Sequence, residues 1–239
     1  MPSETAQEIK VPRHIGIILD GNRRFARKLN LDPWKGHEWG EKKVGKLLEW
    51  CNEYKVEELT LYTFSMQNFN RPKKEFEYIL NLFRKGAKRL LKDKRLYEYD
   101  IKVKFIGRIQ LFPEDVQSLM REIMDATKNN SKHKLNFAMA YGGREEIVDG
   151  VKKIARKAAR GELNPDEIDE KSLSDHLYMD SEPDLIIRTG GEKRTSNFLA
   201  WQASYAEWIF LDKHWPEFEK EDFISCIEEY SSRDRRMGR

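Results

Sequence analysis

The stretch HIGIILDGNRRFARK, residues 14–28, decides the fold of this chain. It begins with an apolar run, HIGIIL, which is typical of a buried strand and ends at Asp20. The Gly-Asn pair that follows is typical of a turn and a helix cap, and two arginines then open a helical segment. A strand that leads directly into a helix predicts a parallel sheet if the same order recurs along the chain.

Strands and helices alternate along the rest of the chain. Five further short apolar runs are predicted strands: 58–64, 101–107, 134–140, 183–188 and 206–211. Helices are predicted where apolar residues recur at three- and four-residue spacing: 38–54, 73–97, 113–129, 144–162 and 221–233. This alternation predicts an α/β fold with a six-stranded, mainly parallel sheet surrounded by helices. We expect one domain over residues 1–239, with a flexible N-terminus (1–11) and a basic C-terminal tail (231–239).

Composition and charge describe an ordinary globular protein. The 239 residues carry 44 basic and 41 acidic side chains, a formal net charge of +3, so no general affinity for nucleic acid is expected. Cys51 and Cys226 are expected to be buried, reduced thiols rather than a disulfide or a metal pair. The first residues lack the apolar segment of a signal peptide, and no apolar run is long enough to predict a membrane span. We therefore expect a cytoplasmic protein.

Polar and cationic residues follow several of the predicted strands. In open parallel sheets, ligands bind beyond the carboxyl ends of the strands. This chain places polar segments at such ends: 20–24, 65–71, 141–144 and 188–197. Because these ends share one edge of the sheet, we expect the segments to converge there. Cations and glycines around one carboxylate, Asp20, suit phosphates and Mg²⁺, since this ion takes one or two carboxylates plus phosphate oxygens.

Each of these features also has a plainer interpretation. Gly21-Asn22 fits either an ordinary turn with a helix cap or a diphosphate site made by backbone N–H groups. The apolar stripes of the helices 38–54 and 73–97 fit either core packing or the walls of a tunnel for a lipid tail. The convergence of several cationic loops favours the ligand interpretation. The sequence lacks the glycine-rich motifs of P-loop and dinucleotide sites, and it lacks the zinc motifs His-Glu-x-x-His and Cys-x-x-Cys.

A set of segments resembles the cis-prenyltransferases, the undecaprenyl diphosphate synthase family: HIGIILDGNRRFA, YTFSMQNFNRP, YGGR and DLIIRTGGEKRTSNFLAWQASYAEWIF. They occur in the family's order and span residues 12–218. The resemblance implies a six-stranded parallel sheet surrounded by helices, a hydrophobic tunnel between the sheet and two long helices, and a dimer. It also implies condensation of isopentenyl diphosphate onto an allylic diphosphate, with Z geometry, to give a polyprenyl diphosphate.

The resemblance also assigns roles to individual residues. It implies Asp20 and Asn68 as catalytic residues and Mg²⁺ as the cofactor, held by Asp20 and by Glu207 as a second carboxylate. The allylic diphosphate would bind Gly21, Asn22, Arg23, Arg24, His37 and Arg71, and isopentenyl diphosphate would bind Arg188, Arg194 and Ser196. The remaining substrate-binding positions are Phe25, Ser65, Met66, Gln67, Phe69 and Thr195. Because an amide is a weak base, Asn68 is expected to orient substrate or relay the departing proton to diphosphate.

The resemblance extends to the C-terminus and to partners. Arg236-Met237-Gly238 resembles the family's Arg-x-Gly tail, which reaches the isopentenyl site of the other subunit; the alternative is a frayed basic end. A homodimer is therefore expected. The lipid product implies a peripheral contact with the inner face of the cell membrane, and no nucleic-acid partner is expected.

Several positions depart from the family's usual pattern. Pro33 stands where many members have a diphosphate-binding arginine, a contact that Lys35 could supply. The other departures are Arg23 for glycine, Phe25 and Phe69 for tryptophan, Gln67 for glutamate and Ala140 for asparagine. The Asp-Gly-Asn-Arg-Arg pattern, with LDPWKGH, is closest to archaeal members, for which geranylgeranyl diphosphate is the expected primer and a glycosyl-carrier lipid the expected use. Product length stays open.

Three functions are compatible with these residues. The first is a catalytic cis-prenyltransferase. The second is a non-catalytic partner subunit of a heteromeric synthase, although such subunits lack the Asp-Gly-Asn acid that this chain has as Asp20. The third is a variant enzyme that uses another acceptor or makes a short product, which Pro33 and the other departures leave open.

Overall fold

The structure, a computed structural model, describes residues 9–233 and contains the predicted sheet. The strands are β1 (His14–Ile18), β2 (Glu58–Ser65), β3 (Ile101–Ile106), β4 (His133–Tyr141), β5 (Leu185–Arg188) and β6 (Glu207–Phe210). They lie in the order β3-β4-β2-β1-β5-β6, and each neighbouring pair is parallel. The prediction of six strands in a parallel sheet is confirmed, and β1 lies inside the sheet rather than at an edge.

Helices connect the strands as the apolar spacing predicts. They are α1 (Asn22–Lys28), α2 (Gly36–Glu53), α3 (Lys73–Leu90), α4 (Arg95–Glu98), α5 (Glu114–Ala126), α6 (Gly143–Ala159), α7 (Glu170–Ser174) and α8 (Lys220–Ser232). The prediction of a single helix over 73–97 is wrong, because the helix is interrupted by a turn between α3 and α4. At this break the carboxylate of Asp93 accepts a hydrogen bond from the backbone N–H of Arg95, at 3.0 Å, which stabilises a turn.

The sheet is covered on both faces, because alternate residues of each strand point to opposite sides. In β1, Ile15 and Ile17 are fully buried in the larger apolar cluster, which includes residues of α2, α3, α5 and α8. Ile18 and, from β2, Tyr62 belong to a smaller cluster on the other face, built largely from the segment 178–208. Strands with apolar residues on both faces are typical of parallel sheets.

A cavity of about 920 Å³ lies between the sheet and the two long helices, as the resemblance implies. Its helical walls include Val44 and Leu48 of α2 and Phe83 of α3, and its floor includes Phe105 and Phe137 of the sheet. Other members of the same helical stripes pack in the core, among them Leu47, Cys51 and Leu80. The stripes therefore form part of the core and part of the cavity wall, and the lipid tail stays a prediction.

The ends of the chain fall partly outside the described range. The residues proposed as a cross-subunit tail, Arg236 and Gly238, lie outside the described residues, as do residues 1–8. At the N-terminal edge of the range, the backbone N–H of Lys10 donates to Ser231 at 2.8 Å. Cys51 and Cys226 are buried and unpaired, as predicted, and burial raises the pKa of the Cys226 thiol to about 12. Between residues 9 and 233, no helix combines the length and the apolar character that crossing a membrane requires.

Candidate active site

Three adjacent strands deliver polar residues to one edge of the sheet. β2, β1 and β5 are neighbours, and their carboxyl ends lead to Ser65, Asp20 and Arg188. Asp20 and Arg188 meet directly, with 2.8 Å between the Arg188 guanidinium and Oδ2 of Asp20. The expected convergence of the strand ends is therefore present at the centre of the sheet.

Asp20 is surrounded by donors. Besides Arg188, Arg24 lies 3.2 Å from Oδ1, and the backbone N–H of Gly21 donates to the same oxygen at 2.6 Å. Burial alone would raise the pKa of the Asp20 carboxyl. The hydrogen bonds from Arg188 and Gly21, with the charges of Arg188 and Arg24, outweigh burial and hold this pKa below its ordinary value. The carboxylate is therefore ionised at neutral pH.

Arg188 also organises the loop that follows β5. Its guanidinium donates to Oγ of Ser196 at 2.7 Å and to the backbone carbonyl of Arg194, while its side chain is only 3% exposed. Ser196, Asn197 and Leu199 adopt left-handed backbone conformations, with φ of 50°, 61° and 44°. Non-glycine residues adopt such angles rarely, and clusters of them are typical of functional loops. The loop is thus held in one shape around a buried cation.

A second cationic group lies beside the first, at the start of α3. The guanidinium of Arg71 donates to the Glu75 carboxylate at 2.8 Å and lies 3.2 Å from Nε2 of His37. Glu75 is 2% exposed and also lies 3.6 Å from Arg23. Burial, together with the charges of Arg71 and Arg23, lowers the pKa of His37 to about 3. His37 is therefore neutral at physiological pH, and its Nε2 accepts the hydrogen bond from Arg71.

The segment after β2 is fixed by a local hydrogen bond. The backbone N–H of Ser65 donates to Oδ1 of Asn68 at 3.0 Å, which is one half of a capping box on the short turn Met66–Asn70. Because the amide oxygen of Asn68 is engaged as an acceptor, its NH₂ group is what it can offer to a ligand. This geometry supports an orienting role for Asn68 rather than a role as a base.

Glycines allow the loop after β1 to pack tightly. Gly21 has φ of 102°, and a Cβ there would lie 2.7 Å from the side chain of His214. Gly40 of α2 lies so close to Asn22 that a Cβ would come within 2.3 Å of its Oδ1. The side chain of Asn22 donates to the carbonyl of Leu19 at 2.9 Å. In this structure Asn22 is therefore part of a close contact between the loop and α2.

The cavity gathers most of the predicted polar residues. The sequence-predicted residues among its lining are Asp20, Asn22, His37, Ser65, Gln67, Asn68, Arg71 and Ser196. Gly21, Arg24 and Arg188 adjoin it through their contacts with Asp20, and Arg23 adjoins it through Glu75. Polar groups thus form one end of the cavity, most of the walls beyond them are apolar, and a second set of charged residues, including Asp93 and Arg95, lines it farther along.

Other predicted residues lie outside the cavity lining. Phe69 packs in an aromatic cluster with Phe64, Phe76 and Phe112, and Met66 packs against the same core. Phe25 lies edge-on to Trp39. Arg194 pairs with Glu192 at 2.5 Å, and its side chain is 60% exposed. Thr195 is also exposed. Phe69 and Met66 are partly buried and pack against the core, and their assignment to direct substrate contact stays a prediction.

Within a single chain, Asp20 and Glu207 lie at opposite edges of the sheet, so the prediction that both hold one magnesium ion cannot apply to one chain alone. Glu207 begins β6 and is level with Leu185 and Ile15, at the amino edge of the sheet. Asp20 lies five residues beyond Ile15, which at about 3.3 Å per residue separates the carboxylates by about 16 Å along the strands. One ion cannot bridge this distance, since Mg²⁺ lies about 2.1 Å from its oxygen ligands. Glu207 instead pairs with Arg233 at 2.7 Å.

The donor set around Asp20 fits a magnesium ion that is bound together with a substrate. Within residues 9–233, no group of three or more histidine, cysteine or acidic side chains could hold a metal. Mg²⁺ is rarely held by an all-protein cage and usually combines one or two carboxylates with substrate phosphates and waters. Asp20 is ionised, is 30% exposed and lines the cavity, as such a site requires.

The sequence interpretation gave no role to Glu75 or Glu192, and it named Asn197 only as part of the polar segment after the fifth strand. Glu75 anchors Arg71 and Arg23, and its only sequence signal is its position four residues after Arg71. Glu192 lies 3.4 Å from Arg24 and thereby links the loops after β1 and β5. Oδ1 of Asn197 accepts a hydrogen bond from the backbone of Arg144, at 2.9 Å. Glu75 and Glu192 thus position cations, whereas Asn197 joins the loop after β5 to the start of α6.

Comparisons with known proteins agree with this geometry. A family model described as a putative undecaprenyl diphosphate synthase matches residues 18–238. The tritrans,polycis-undecaprenyl-diphosphate synthase (geranylgeranyl-diphosphate specific) of Archaeoglobus fulgidus is 50% identical over 226 residues, covering 93% of this chain and 90% of that protein. The protein of the same name from Thermococcus kodakarensis is 45% identical over 238 residues, covering 99% and 90%.

Solved structures show the same relationship. Lavandulyl diphosphate synthase from Lavandula x intermedia, in complex with dimethylallyl diphosphate, superposes with a TM-score of 0.93 at 32% identity, covering 96% of this chain and 99% of that one. A probable undecaprenyl diphosphate synthase from Campylobacter jejuni superposes with a TM-score of 0.81 at 30% identity, covering 96% and 100%. Since sequence and fold agree over almost its whole length, the chain belongs to the undecaprenyl diphosphate synthase family of prenyltransferases.

Proposed function

We propose that this protein is a cis-prenyltransferase that adds isopentenyl diphosphate, with Z geometry, to geranylgeranyl diphosphate. The product is a long-chain polyprenyl diphosphate, the precursor of a glycosyl-carrier lipid. The observation that carries the proposal is a cavity of about 920 Å³ with cations at one end and apolar walls beyond them. Such a cavity suits a substrate with a diphosphate head and a hydrocarbon tail. The geranylgeranyl primer is supported by the names of the archaeal relatives.

The allylic diphosphate binds where Arg71 and Arg23 surround Glu75. These cations are held in place before substrate arrives, so little reorganisation is needed when the diphosphate leaves with its negative charge. Neutral His37 adds a hydrogen-bonding group without adding charge. Asn22 lies on the same cavity wall.

Isopentenyl diphosphate binds on the loop after β5. Arg188 and Ser196 already contact each other there, and Arg194 and Thr195 are exposed beside them. In this proposal the two diphosphates bind on opposite sides of Asp20. Mg²⁺, bound by Asp20 and diphosphate oxygens, would neutralise charge that develops on the leaving group.

The residues around the cavity then position the reaction. The allylic C–O bond breaks, its electron pair leaves with diphosphate, and the isopentenyl double bond forms the new C–C bond with the allylic carbon. A proton is lost from the isopentenyl unit to form the new double bond, and an oxygen of the departing diphosphate takes it. The NH₂ group of Asn68 orients that diphosphate, since its carbonyl is engaged by Ser65. The apolar walls exclude water from the allylic cation.

The test is incorporation of labelled isopentenyl diphosphate in the presence of Mg²⁺ and geranyl, farnesyl or geranylgeranyl diphosphate. We expect the greatest incorporation with geranylgeranyl diphosphate and none after Asp20→Ala in a protein that remains folded. No incorporation with any primer would refute the synthase function and favour a partner subunit. A shorter preferred primer would overturn only the choice of primer, and labelling of a different added acceptor would identify the variant enzyme.

We further propose that Glu207 acts in the site of a second copy of this chain. Glu207 lies far from Asp20 in its own chain, and β6 is an edge strand whose Trp208 and Phe210 rings stack on each other. Arg233, the last described residue, pairs with Glu207, so the C-terminal tail begins beside it. A homodimer would therefore bring Glu207 and the tail residues Arg236 and Gly238 together to the partner's isopentenyl site. The lipid product would leave through a peripheral contact with the membrane.

Mixing two inactive variants tests this arrangement. A heterodimer of one Asp20→Asn chain and one Glu207→Gln chain still has one intact Asp20 and one intact Glu207, on different chains. These two residues can form one working site only if Glu207 acts across the interface. Random exchange would then recover about one quarter of wild-type activity, because half of the dimers have one of two sites intact. No recovery after verified subunit exchange would refute the shared site.

A further inference from the structure

A cluster of charged groups lies at the end of the cavity that is remote from Asp20. The guanidinium of Arg95 binds the carboxylate of Asp93 at 2.6 Å, the backbone carbonyl of Gly45 at 2.9 Å and the carboxylate of Glu49 at 2.5 Å. These contacts join α2 to the turn after α3, and we call them the distal clasp. Its donors are directed at three acceptors at once, which fixes the side chain more firmly than a single ion pair would.

The distal clasp lies between the cavity and solvent. Gly45, Asp93 and Arg95 line one end of the same cavity that Asp20 and His37 line at the other. The side chains of Arg95 and Glu49 are 28% and 50% exposed, so the clasp also faces outward. From His37 to Gly45 the helix α2 rises about 12 Å, and about 18 Å to Glu49, at 1.5 Å per residue.

The length of a prenyl tail brings it to the distal clasp. This step rests on the proposed function. Each isoprene unit adds four main-chain bonds of about 1.5 Å, and thus at most about 6 Å of contour. A primer of four units extends over up to about 24 Å, which reaches the clasp, and every added unit pushes the tail end against it. A product of eleven units, the length in the names of the archaeal relatives, exceeds the distance several-fold.

We propose that the distal clasp is a gate that limits product length, with Arg95 as the specificity-determining residue. When the apolar end of a growing tail meets the closed clasp, it must either turn back or displace the guanidinium of Arg95. Displacement breaks the hydrogen bonds that Arg95 makes to Asp93, Gly45 and Glu49. Partly exposed ion pairs are weak enough to open, because water replaces the lost partners. The clasp therefore slows extension without blocking it, and its strength sets how many condensations precede release.

Two variants open the clasp by different routes. Arg95→Ala removes the guanidinium. Gly45→Ala acts from the opposite side, since its new Cβ would lie 2.8 Å from one terminal nitrogen of Arg95 and 3.1 Å from the other. The displaced atoms are the end of a flexible side chain, and alanine favours the helix more than glycine does, so α2 is expected to stay folded.

Arg84→Ala is the matched control. Arg84 of α3 pairs with Asp115 at 2.6 Å and has a side chain 26% exposed, much like Arg95, but it does not line the cavity. The assay measures the chain lengths of labelled products by thin-layer chromatography after dephosphorylation, at fixed ratios of the two substrates. The distribution of product lengths is informative because a general loss of stability would lower the total amount of product without changing that distribution.

Arg95→Ala and Gly45→Ala are expected to make the most abundant product longer by at least about one isoprene unit. The segment of α2 from Gly45 to Glu49, which the open clasp no longer blocks, is about 6 Å long. Arg84→Ala should give the wild-type distribution. If Arg95→Ala and Gly45→Ala give unchanged or shorter products while the wild type is active, the gate is refuted and the proposed function stands. If the wild type makes no product with any primer, the proposed function itself fails.

Discussion

Replacing Asp20 with asparagine tests how the site is held together before any substrate binds. The substitution removes one negative charge at nearly constant volume and leaves Arg188, 3% exposed, beside a neutral group. Exposed ion pairs contribute about 0.2–1 kcal/mol, whereas removing one partner of a fully buried pair costs about 3–5 kcal/mol. Asp20 is 30% exposed and lies between these limits. We therefore expect Asp20→Asn to lower the free energy of unfolding by about 1–2 kcal/mol at pH 7.

The pH dependence of this loss identifies its source. The folded-state pKa of Asp20 is depressed, so its carboxylate stabilises the fold above the unfolded-state pKa, and this contribution disappears as the pH falls through the folded-state pKa. The difference between wild type and Asp20→Asn should therefore be constant from pH 8 to pH 5. It should shrink only in the acid range, below about pH 4, where the carboxyl of the unfolded chain protonates.

The measurement is urea unfolding of both proteins at pH 8, 7, 5 and 3.5, at one protein concentration. In a chain of this size, 1 kcal/mol corresponds to about 2–4 °C in melting temperature, which gives an independent check. The matched control is Asp115→Asn, because the pair of Asp115 with Arg84, at 2.6 Å, is as close as the 2.8 Å pair of Asp20 or closer, but the Asp115 side chain is 58% exposed. An equal loss in the two variants, or a loss from Asp20→Asn that changes between pH 8 and pH 5, would refute this account.

Two further predictions concern the neighbours of Asp20. Glu75→Gln should raise the KM for the allylic diphosphate at least about fivefold, with a smaller change for isopentenyl diphosphate, because Arg71 loses its buried counter-charge; equal changes in both KM values, measured by steady-state kinetics, would contradict this. Since the pKa of His37 is lowered to about 3, His37 carries no charge above about pH 5. His37→Asn should therefore leave the shape of the pH–rate profile between pH 5 and 8 unchanged. If the variant instead lost a pH-dependent rise or fall that the wild type shows in this range, His37 would titrate there and the prediction would be wrong.

The arrangement of strands could be predicted because it depends on local patterns. The alternation in β1 puts Ile15 and Ile17 on one face and Ile18 on the other, and the apolar spacing of α2 identifies its buried stripe. The break after α3 could not be predicted, since Leu96 continues the apolar spacing and is buried. The turn between the two helices has a hydrogen bond from the backbone of Arg95 to Asp93, which a periodicity does not reveal.

The site was predictable where it follows strand ends and not where it depends on tertiary partners. Asp20 and Arg188 meet because the carboxyl ends of adjacent parallel strands share an edge. Glu207 stands at the start of its strand, where the same rule puts it on the edge opposite to Asp20 of its own chain, and its part in the metal site stays a prediction. The burial of Glu75 was not predictable, since a charged residue early in a helix is usually exposed unless the folded chain supplies its counter-charges.

The residues with left-handed backbone angles after β5 lower the stability of the fold in a loop that also contacts Arg188. At such angles, non-glycine residues cost about 1–3 kcal/mol each, and glycine avoids the steric penalty. At Ser196, where φ is 50°, glycine would relieve this strain, whereas at Leu199 the loss of a fully buried side chain would cost about 2–5 kcal/mol and outweigh the gain. Glycine at 196 would also remove the hydroxyl that binds Arg188. Relief of the strain at residue 196 would thus weaken a contact that holds Arg188 in the proposed diphosphate site.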